Sequence, residues 1–379
     1  MKDGAIMENN SDVAKKALED AVILIPSLEP DERLPAYVRK LMDSGFGHIV
    51  IVDDGSSESY QPIFREISGI DRTVVLHHDV NHGKGVALKT GYTWIMENLH
   101  GISGVITADA DGQHTVEDCI RLAVSLESGE RALYLGSRDF SSRNVPFRSR
   151  LGNRTTSTVF FLLYGKWLGD TQTGLRAFRA EDLRFMTEIT GERFEYEMNV
   201  LIACVRAGLP IIPMPIETIY ENENKGSHYS TFRDSARILK VIMGGFITFM
   251  GSSLLCVLID QGLFNLINLV ILGNGTANNA TKILAATAVA RIVSASVNFL
   301  LNKNFVFKLK GNSAGALWKY IVLSIANLLV SAGCVKLMTL LGIGSTAAKL
   351  IVDFILYFIN YRIQRNWVFR ERETNEKTA

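Results

Sequence analysis

The sequence lacks the features that point most directly to a disulfide scaffold, a zinc site or a nucleic-acid-binding protein. Only four cysteines occur in 379 residues, and no Cys-x-x-Cys spacing joins them, which favours packing in a reducing compartment. The formal net charge is only +1, so nucleic acid is not expected as a partner. The first 20 residues are polar and acidic, without the apolar run of a signal peptide, which predicts that the soluble part stays in the cytosol.

Long hydrophobic runs are also missing from the first half of the chain. Residues 1–236 have the composition of a soluble domain, whereas residues 238–369 hold nearly all the long apolar runs. The chain is 47% apolar overall, and its length allows two domains of different character. The sequence therefore predicts a soluble domain followed by a membrane domain.

Strand and helix signals alternate along the soluble half. This rhythm predicts an α/β domain with a mostly parallel sheet and helices on both faces. The predicted strands cover residues 21–25, 48–52, 74–77, 105–108 and 133–136. The predicted helices cover residues 31–44, 81–98, 115–128, 150–165, 180–189 and 195–207.

The most informative stretch is Val105–His114, where an apolar run stops on Asp109 and Asp111. In an open α/β sheet, ligands bind beyond the carboxyl ends of the strands, so this strand delivers two carboxylates to a binding site. Hard oxygen ligands suit Mg²⁺ or Mn²⁺, and the phosphates of a diphosphate would complete the coordination shell. Taken alone, the Asp-x-Asp triplet also fits a solvated turn.

Two further polar clusters follow predicted strands and should meet these carboxylates at one edge of the sheet. Asp53 and Asp54 come directly after the second strand, and Lys84 lies between two glycines after the third. Three such clusters together are far less expected by chance than any one of them. They predict a nucleotide site along the carboxyl ends of the strands.

In their order along the chain, these motifs resemble those of family 2 glycosyltransferases with the GT-A fold. They are most similar to the polyprenyl-phosphate sugar transferases related to dolichol-phosphate mannose synthase. The resemblance spans residues 21 to about 220. It rests on the segments Ile25–Pro26, Val52–Ser56, Gly83–Gly85, Asp109–His114 and Gly136–Arg138.

The resemblance implies a role for each matching residue of the donor site. The nucleoside pocket would be lined by Pro26, Glu29 and Asp53. The metal on the donor diphosphate would be held by Asp109, Asp111 and Gln113, and Asp111 would be catalytic through this ion. Lys84 would either contact the donor or be only a solvated helix start. Residues 27–30, Ser-Leu-Glu-Pro, replace the usual Thr-Tyr-Asn-Glu of the relatives, so the choice between UDP- and GDP-linked sugars stays open.

Five arginines between residues 138 and 154 predict a site for the acceptor. An acceptor hydroxyl needs a carboxylate base, whereas a lipid phosphate is already anionic near neutral pH and needs cations to hold it. Guanidinium groups match phosphate oxygens in a bidentate way, so we expect a phosphate site at Arg138, Arg148 and Arg150. A solvated basic face against anionic headgroups is the alternative. The Gln-x-x-Arg-Trp motif of processive transferases is absent from the soluble half, which favours a single transfer.

A further matching segment begins at Asp170, and in the relatives its aspartate faces the reacting centre. The resemblance implies that Asp170 is a catalytic residue, which orients the acceptor or stabilises charge at the anomeric carbon. A plain turn before a strand is the alternative. Residues 194–197, Phe-Glu-Tyr-Glu, also match a family segment, with pairing to the arginines as the alternative role of their carboxylates.

The second half contains four candidate membrane spans for a bilayer core of about 30 Å. They cover residues 241–259, 283–301, 320–341 and 346–361. The ends of the second and fourth, Asn298–Lys308 and Asn360–Arg370, are near copies 62 residues apart, which predicts a duplicated two-helix unit. Lysines and arginines follow the second and fourth spans, whereas residues 261–281 and 342–348 have none, so both termini and the soluble domain are expected in the cytosol.

This half resembles a GtrA-like membrane domain, a kind of domain associated with anchoring the enzyme or moving the lipid-linked sugar. Arg291 and Asp353 each lie seven residues before a repeated asparagine, and we expect them to form an ion pair, with Asp260 as a competing partner of Arg291. Residues 226–240 suit an interfacial helix at headgroup level, and a flexible linker is the alternative.

The sequence thus predicts five segments. They are a polar extension (1–20), a glycosyltransferase domain (21–225), a juxtamembrane helix (226–240), a four-span GtrA-like domain (241–370) and a cytosolic tail (371–379). The expected reaction is inverting, metal-dependent transfer of one sugar from a nucleotide sugar to polyprenyl (undecaprenyl) phosphate at the cytosolic face of the cell membrane. Two alternatives stay open: transfer to a diacylglycerol-type hydroxyl, and a lipid-linked sugar transporter with a nucleotide-sugar-sensing domain. The sugar, the polyprenol length and the oligomeric state, a homo-oligomer included, also stay open.

Overall fold

The computed structural model describes residues 12–140, 145, 147–217, 231–267, 280–309, 311 and 313–369. The chain folds as two compact units, Met1–Ile242 and Met243–Ala379. The predicted tail over residues 371–379 and the first part of the predicted interfacial helix, residues 226–230, lie outside the described residues.

The first unit is built on a seven-stranded sheet with the strand order β3-β2-β1-β4-β6-β5-β7. Its strands are β1 Ala21–Ser27, β2 His48–Asp53, β3 Thr73–His77, β4 Gly104–Thr107, β5 Leu133–Arg138, β6 Arg176–Arg179 and β7 Ile211–Ile216. β1 pairs in parallel with β2 and β4, whereas β6 runs antiparallel to β4 and β5. This is the mostly parallel sheet that the alternating signals predict.

The helices of the described part of this unit are α1 over residues 12–19, α2 Arg33–Asp43, α3 Gln61–Ser68, α4 Lys84–Asn98, α5 Val116–Ser128, α6 Phe147–Tyr164, α7 Leu183–Glu188 and α8 Glu195–Ala207. α5 begins after Thr115, whose hydroxyl accepts from the Asp118 amide N–H. α8 ends at Gly208, which has φ 73° and closes the helix in the left-handed conformation that glycine adopts without strain. The predicted helices therefore differ from the observed ones mainly by a few residues at their ends.

The core is continuous between the sheet and the helices that cover it. β1 and β2 are buried along almost their whole length, as expected of parallel strands covered on both faces. Cys119 of α5 and Cys204 of α8 are also buried, and burial raises the pKa of both thiols to about 12. Both cysteines are therefore neutral packing residues at physiological pH.

The sequence pattern misses four elements of this unit, α1, α3, β6 and β7. β6 carries Arg176, whose guanidinium is buried because it donates to the backbone oxygens of Thr173 and Glu197 at 3.0 and 2.6 Å. β7 contains two prolines, Pro213 and Pro215, which argue against a strand in general. β7 pairs only at its β5 side and is the last strand of the sheet, and an edge strand tolerates proline.

Four long helices make up the second unit and the segment leading into it: α9 Thr231–Leu266, α10 Ala280–Leu301, α11 Ser313–Leu340 and α12 Ser345–Ile363. Three stretches in the described residues are long and apolar enough to cross a membrane, Ala236–Leu266, Ile283–Val306 and Ser313–Leu340. α12 is shorter and carries Lys349, Asp353 and Arg362. The fourth predicted span therefore stays a prediction.

α10 and α12 end in the same way, each running directly into a π-helical turn. The turns are Asn302–Val306 and Gln364–Val368, and they contact each other. Asn302 Nδ2 donates to Gln364 Oε1 at 3.0 Å, and the rings of Phe307 and Phe369 stack with their centroids 5.0 Å apart. Both pairs join positions separated by the repeat spacing of 62 residues, so equivalent positions of the two copies touch. This is the contact expected near an axis that relates a duplicated unit.

The predicted ion pair between Arg291 and Asp353 is wrong. Arg291 Nη2 lies 3.5 Å from Asp260 Oδ2, and Asp353 Oδ1 lies 2.7 Å from Lys349 Nζ. Each residue finds its counter-charge inside its own copy of the repeat. The counter-charge of Arg291 comes from the neighbouring helix α9, and that of Asp353 comes from the preceding turn of α12. Neither residue therefore needs a partner in the other copy.

Candidate active site

The carboxyl ends of β1, β2 and β4 bring the predicted donor residues to one edge of the sheet. β2 ends at Asp53, and β4 ends at Thr107, two residues before Asp109. Glu29, after β1, has φ 48°, and its amide N–H donates to Ser56 Oγ at 2.8 Å, which ties the turn after β1 to the turn after β2. The expected convergence of these segments is therefore observed.

Asp53 is buried and held by three neighbours. Its carboxylate accepts from the Ser56 amide N–H at 2.8 Å and from Gln61 Nε2 at 3.0 Å, and His77 Nδ1 lies 3.0 Å away. Burial alone would raise the pKa of Asp53, but these hydrogen bonds outweigh it and lower the pKa. Asp53 is thus a fixed, charged acceptor on the edge where a nucleoside pocket is predicted.

Asp54 has a different task, because its carboxylate fixes the loop before α4. It accepts from the amide N–H groups of His82 and Gly83 at 3.0 and 2.7 Å. Gly83 has φ 103°, and a Cβ there would lie 2.6 Å from the Glu192 backbone oxygen, so glycine is required. This loop determines where Lys84, the first residue of α4, begins.

Lys84 is buried between two carboxylates, with only 15% of its side chain exposed. Its Nζ lies 2.6 Å from Asp109 Oδ1 and 2.8 Å from Glu197 Oε1. Burial alone would lower the pKa of Lys84, but the charges of Asp109 and Glu197 outweigh it and raise the pKa. A solvated helix start is therefore excluded for Lys84. The sequence did not identify Glu197 as its partner, although the matched segment 194–197 contains it.

Asp109 and Asp111 differ strongly although they are two residues apart. Besides Lys84, Asp109 contacts His114, whose Nε2 lies 3.2 Å from Oδ2. Burial alone would raise the pKa of Asp109, but Lys84 and His114 hold it well below its usual range. Asp111 is part-exposed and accepts from the Gln113 amide N–H at 3.1 Å, and burial together with the charge of Asp109 raises its pKa.

Gly174 packs directly against Asp109 and joins the donor segment to the segment that follows Asp170. A Cβ at Gly174 would clash with both oxygens of Asp109. Thr107 Oγ1 donates to the Gly174 carbonyl at 2.7 Å and holds the two segments together. The sequence assigned no role to this glycine, because only the tertiary contact reveals the close approach.

The Asp109–Asp111 segment fits a divalent cation that brings further ligands with it. In the described part of the chain, no group of three or more His, Cys, Asp or Glu side chains could hold a metal alone. Mg²⁺ in phosphate-handling sites is usually bound by one or two carboxylates together with substrate phosphates and water. Burial and the charge of Asp109 raise the pKa of Asp111, and a bound dication would favour its charged form. Gln113, the third predicted ligand, lies part-exposed beside them.

Asp170 is fully buried and binds Arg138 in a bidentate ion pair. Arg138 Nε lies 2.7 Å from Asp170 Oδ2, and its Nη2 lies 3.2 Å from Oδ1. The Gln172 amide N–H donates to Oδ1 at 3.0 Å. A carboxylate held in this way is not free to act as a general base, so the geometry favours a role in orienting Arg138.

The predicted arginine cluster is described only in part. Arg150 lies in α6 and donates to the Val145 carbonyl at 3.5 Å, and Arg154 is exposed on the same helix. Residues 141–144 and the side chain of Arg148 lie outside the described part of the chain. Of the expected phosphate ligands, Arg138 and Arg150 are therefore the two whose positions are known.

α6 is tied to the loop that carries Asp170. Asn153 Oδ1 accepts from the Thr171 amide N–H at 3.1 Å, and its Nδ2 donates to the Gly169 carbonyl at 2.5 Å. Thr156 and Thr171 share a hydroxyl–hydroxyl hydrogen bond of 2.9 Å. The orientation of α6 is thus coupled to the Arg138–Asp170 pair.

Comparison with known proteins gives a family for each half of the chain. Residues 23–185 match glycosyl transferase family 2, and residues 248–369 match the GtrA/DPMS transmembrane domain. The chain is 29% identical over 215 residues to UDP-N-acetylglucosamine--dolichyl-phosphate N-acetylglucosaminyltransferase of Methanococcus voltae, covering 52% of this chain and 85% of that protein. It is 28% identical over 210 residues to polyprenol monophosphomannose synthase of Mycolicibacterium smegmatis, covering 53% of this chain and 78% of that protein.

Among solved structures, the chain is similar to glucosyl-3-phosphoglycerate synthase from Mycobacterium tuberculosis, with 15% identity and a TM-score of 0.45 over 61% of this chain and 81% of that chain. The sheet topology and the two family matches confirm the predicted α/β transferase domain of the GT-A type and the predicted helical membrane domain. The chain joins a glycosyl transferase family 2 domain to a C-terminal GtrA/DPMS transmembrane domain, and it is a membrane-bound glycosyltransferase.

Proposed function

We propose that this enzyme transfers one sugar from a nucleotide sugar to polyprenyl phosphate at the cytosolic face of the membrane, with inversion at the anomeric carbon. The single observation that carries the proposal is the fixed Arg138–Asp170 pair, joined through Gly174 to the Asp-x-Asp segment. The names of the relatives from Methanococcus voltae and Mycolicibacterium smegmatis support a polyprenyl-phosphate class of acceptor. The two names give different sugars, so the sugar of this enzyme is a matter for experiment.

On the donor side, Pro26, Glu29 and Asp53 would line the nucleoside pocket. Asp109, Asp111 and Gln113 would hold Mg²⁺ or Mn²⁺ on the diphosphate. When bound, the ion supplies positive charge to the departing nucleoside diphosphate. Asp111 would be the main carboxylate ligand of the ion, because it is part-exposed and because burial and the charge of Asp109 raise its pKa.

On the acceptor side, the attacking group is a phosphate oxygen that needs no base near neutral pH. Arg138 would hold this phosphate, and Asp170 keeps the guanidinium oriented. In a direct in-line attack, a phosphate oxygen forms a bond to the anomeric carbon while the bond from that carbon to the diphosphate oxygen breaks. One such displacement inverts the anomeric centre, and the nucleoside diphosphate leaves.

A surface of α6 and the turn after it supports a lipid as the carrier of the phosphate. Leu151, Phe161, Leu162 and Trp167 are between 40% and 55% exposed, and Arg154 on the same helix is exposed as well. Tryptophan and arginine next to apolar side chains are typical of residues at the headgroup level of a bilayer. Since α6 is hydrogen-bonded to the Asp170 loop, the phosphate site would lie next to the lipid surface.

The proposal includes four membrane spans with the transferase domain and both termini in the cytosol. The cations after the two repeats and their absence from residues 342–348 support this orientation. The membrane domain would anchor the enzyme, and translocation of the lipid-linked sugar is a second role that a duplicated unit suits.

The reaction can be tested directly with labelled donors. Membranes containing the protein are incubated with radiolabelled UDP-glucose, UDP-N-acetylglucosamine or GDP-mannose and with undecaprenyl phosphate, and the lipids are extracted. We expect one donor to give a labelled lipid that mild acid cleaves and mild alkali does not, since a glycosyl phosphate is acid-labile. Label in an alkali-labile glycolipid would support transfer to a diacylglycerol hydroxyl instead.

The acceptor site has its own test in the same assay. Arg138→Gln should raise KM for undecaprenyl phosphate by about tenfold, because a charge-assisted contact with the phosphate is lost, and should leave KM for the donor nearly unchanged. Arg184→Gln is the matched control, because Arg184 is a highly exposed arginine whose side chain pairs with Glu188. An equal rise in the KM for the donor would indicate that Arg138 binds the donor diphosphate and not the acceptor phosphate.

A further inference from the structure

We propose that Lys84 neutralises Asp109 before the metal ion binds, is displaced from Asp109 by that ion, and then binds the donor diphosphate. Glu197 would keep the Lys84 side chain at the site throughout. The inference rests on the proposed function, because it concerns the order in which the donor site is filled. In this proposal Lys84 exchanges its contact with Asp109 for a contact with the diphosphate, and Glu197 is a positioning residue.

The first step of the argument is that Lys84 and a metal ion need the same oxygen. Asp109 Oδ2 is taken by His114, and Gly174 closes the space against the carboxylate. Lys84 Nζ lies 2.6 Å from the remaining oxygen, Oδ1. A dication bound to Oδ1 at about 2.1 Å would face the ammonium at a distance where like charges repel strongly in a partly buried site. The two cations would therefore compete for this oxygen.

The second step is that Lys84 has somewhere else to stay. Glu197 Oε1 lies 2.8 Å from Nζ, and Glu197 belongs to α8 and not to the metal-binding segment. Arg176 Nη1 donates to the Glu197 backbone oxygen at 2.6 Å and fixes the first turn of that helix. When Asp109 turns to the metal, Glu197 alone therefore keeps the charged side chain of Lys84 at the site.

The third step is a charge balance. Without metal, Asp109 and Glu197 share the single ammonium of Lys84, and Asp111 adds a third carboxylate two residues from Asp109, so the carboxylates outnumber the ammonium. A dication cancels this excess. The lysine is then no longer needed by Asp109, and its N–H donors can turn to an arriving diphosphate, which completes the shell of the ion.

The alternative is a permanent salt bridge that only stabilises the fold. A further alternative is that Lys84 repels a metal ion through space without sharing a ligand with it. A double-mutant cycle separates these possibilities, because exchange at Asp109 requires Asp109 itself.

Binding of Mn²⁺ alone is measured on the full-length protein in detergent, by electron paramagnetic resonance of the free ion, for wild type, Lys84→Met, Asp109→Asn and the double variant. We expect Lys84→Met to bind Mn²⁺ about fivefold to tenfold more tightly than wild type, because its competitor is gone. In the Asp109→Asn background, the same change should have almost no effect. Lys89→Met is the matched control, since Lys89 lies in the same helix and donates to the Gly191 backbone oxygen; it should leave Mn²⁺ affinity within about twofold of wild type.

A second measurement tests the later role of Lys84. With saturating Mn²⁺, Lys84→Met should weaken binding of UDP or GDP, whichever wild type prefers, by about tenfold and should weaken the matching monophosphate much less. The opposite signs for metal and diphosphate distinguish exchange from a permanent salt bridge. Lys84→Gln, whose amide still donates to a carboxylate, replaces Lys84→Met in the cycle if the latter does not fold.

Equal gains in Mn²⁺ affinity in both Asp109 backgrounds would overturn the proposal in favour of through-space repulsion. No gain in either background would overturn it in favour of a permanent salt bridge. These results do not depend on the acceptor. If the cycle behaves as expected but no donor labels a polyprenyl phosphate, the proposed function is wrong and the exchange at Asp109 is still supported. If a donor labels the polyprenyl phosphate but the cycle does not behave as expected, only the exchange is wrong.

Discussion

The two units of this protein hold their charged side chains in different ways. In the transferase unit, Asp170 is fully buried beneath Arg138, and Asp109 joins Lys84 and His114. In the membrane unit, the arginine at position 291 is 72% exposed beside Asp260. The transferase unit therefore fixes buried charges for chemistry, whereas the membrane unit leaves its arginine exposed beside a counter-charge and joins its two copies through neutral groups.

The largest effect should come from breaking an ion pair whose carboxylate is fully buried. Asp170→Ala should lower the free energy of unfolding of the transferase unit by about 3–5 kcal/mol, because it leaves the guanidinium of Arg138 without its bidentate partner. Chemical denaturation followed by tryptophan fluorescence measures this. The double variant Asp170→Ala/Arg138→Met should recover part of the loss, and a double variant as unstable as the single one would show that the pair is not what holds this loop.

The next effect concerns a charge that is kept for chemistry and is not paired. Asp111→Asn should reduce transfer of label to lipid by about 10² or more, since one strong charge-stabilising group is removed from the departing diphosphate. Thermal stability should hardly change, because Asp111 is part-exposed and because burial and the charge of Asp109 raise its pKa. Glu117→Gln, at an exposed position of α5, is the control. Undiminished activity of wild type in excess EDTA would contradict the metal assignment.

In the membrane unit, the largest effect should come from a neutral pair. Gln364→Leu should lower the stability of the unit by about 1–2 kcal/mol, because it removes one acceptor from the buried amide of Asn302. Unfolding in mixed micelles measures this. The exposed Gln261→Leu change in α9 is the control and should have little effect. A cost for Gln364→Leu no greater than for the control would mean that the π-helical turns do not join the copies.

The smallest effect separates the observed charge pairs from the predicted one. A double-mutant cycle of Arg291→Ala with Asp260→Ala should give a coupling of about 1 kcal/mol or less, as is usual for polar contacts between membrane helices. The cycle of Arg291→Ala with Asp353→Ala should give a coupling near zero. The same micelle unfolding assay measures both couplings. A larger coupling between Arg291 and Asp353 than between Arg291 and Asp260 would support the originally predicted ion pair between the two copies.

The sequence was most informative where a short apolar run stops on polar residues. Asp53 and Asp109 could be assigned to one sheet edge because parallel strands deliver their carboxyl ends to the same side. The duplication was visible for the same kind of reason, since near-identical segments recur at a fixed spacing. In both cases the signal lies in the order of residues along the chain, so no knowledge of tertiary packing is needed.

The partners of these residues could not be predicted, because they depend on how distant helices pack. Nothing in the spacing of Lys84 and Glu197 shows that one ammonium lies between Glu197 and Asp109. The error at Arg291 has the same origin. Equivalence in a repeat tells which positions correspond, but the counter-charge is chosen by proximity, and Asp260 in the neighbouring helix is nearer.

The contact between the two π-helical turns has a consequence for how this membrane domain could arise. Asn302 meets Gln364 and Phe307 meets Phe369, so each position contacts its own counterpart in the other copy. A contact of this kind is isologous, and it is the kind that two separate, identical chains make across a twofold axis. A single two-helix chain bearing one such turn already has the self-complementary surface needed to pair with itself. Duplication then turns a concentration-dependent dimer into one chain whose halves are always together, and leaves each half free to acquire different charges, such as arginine at 291 and aspartate at 353.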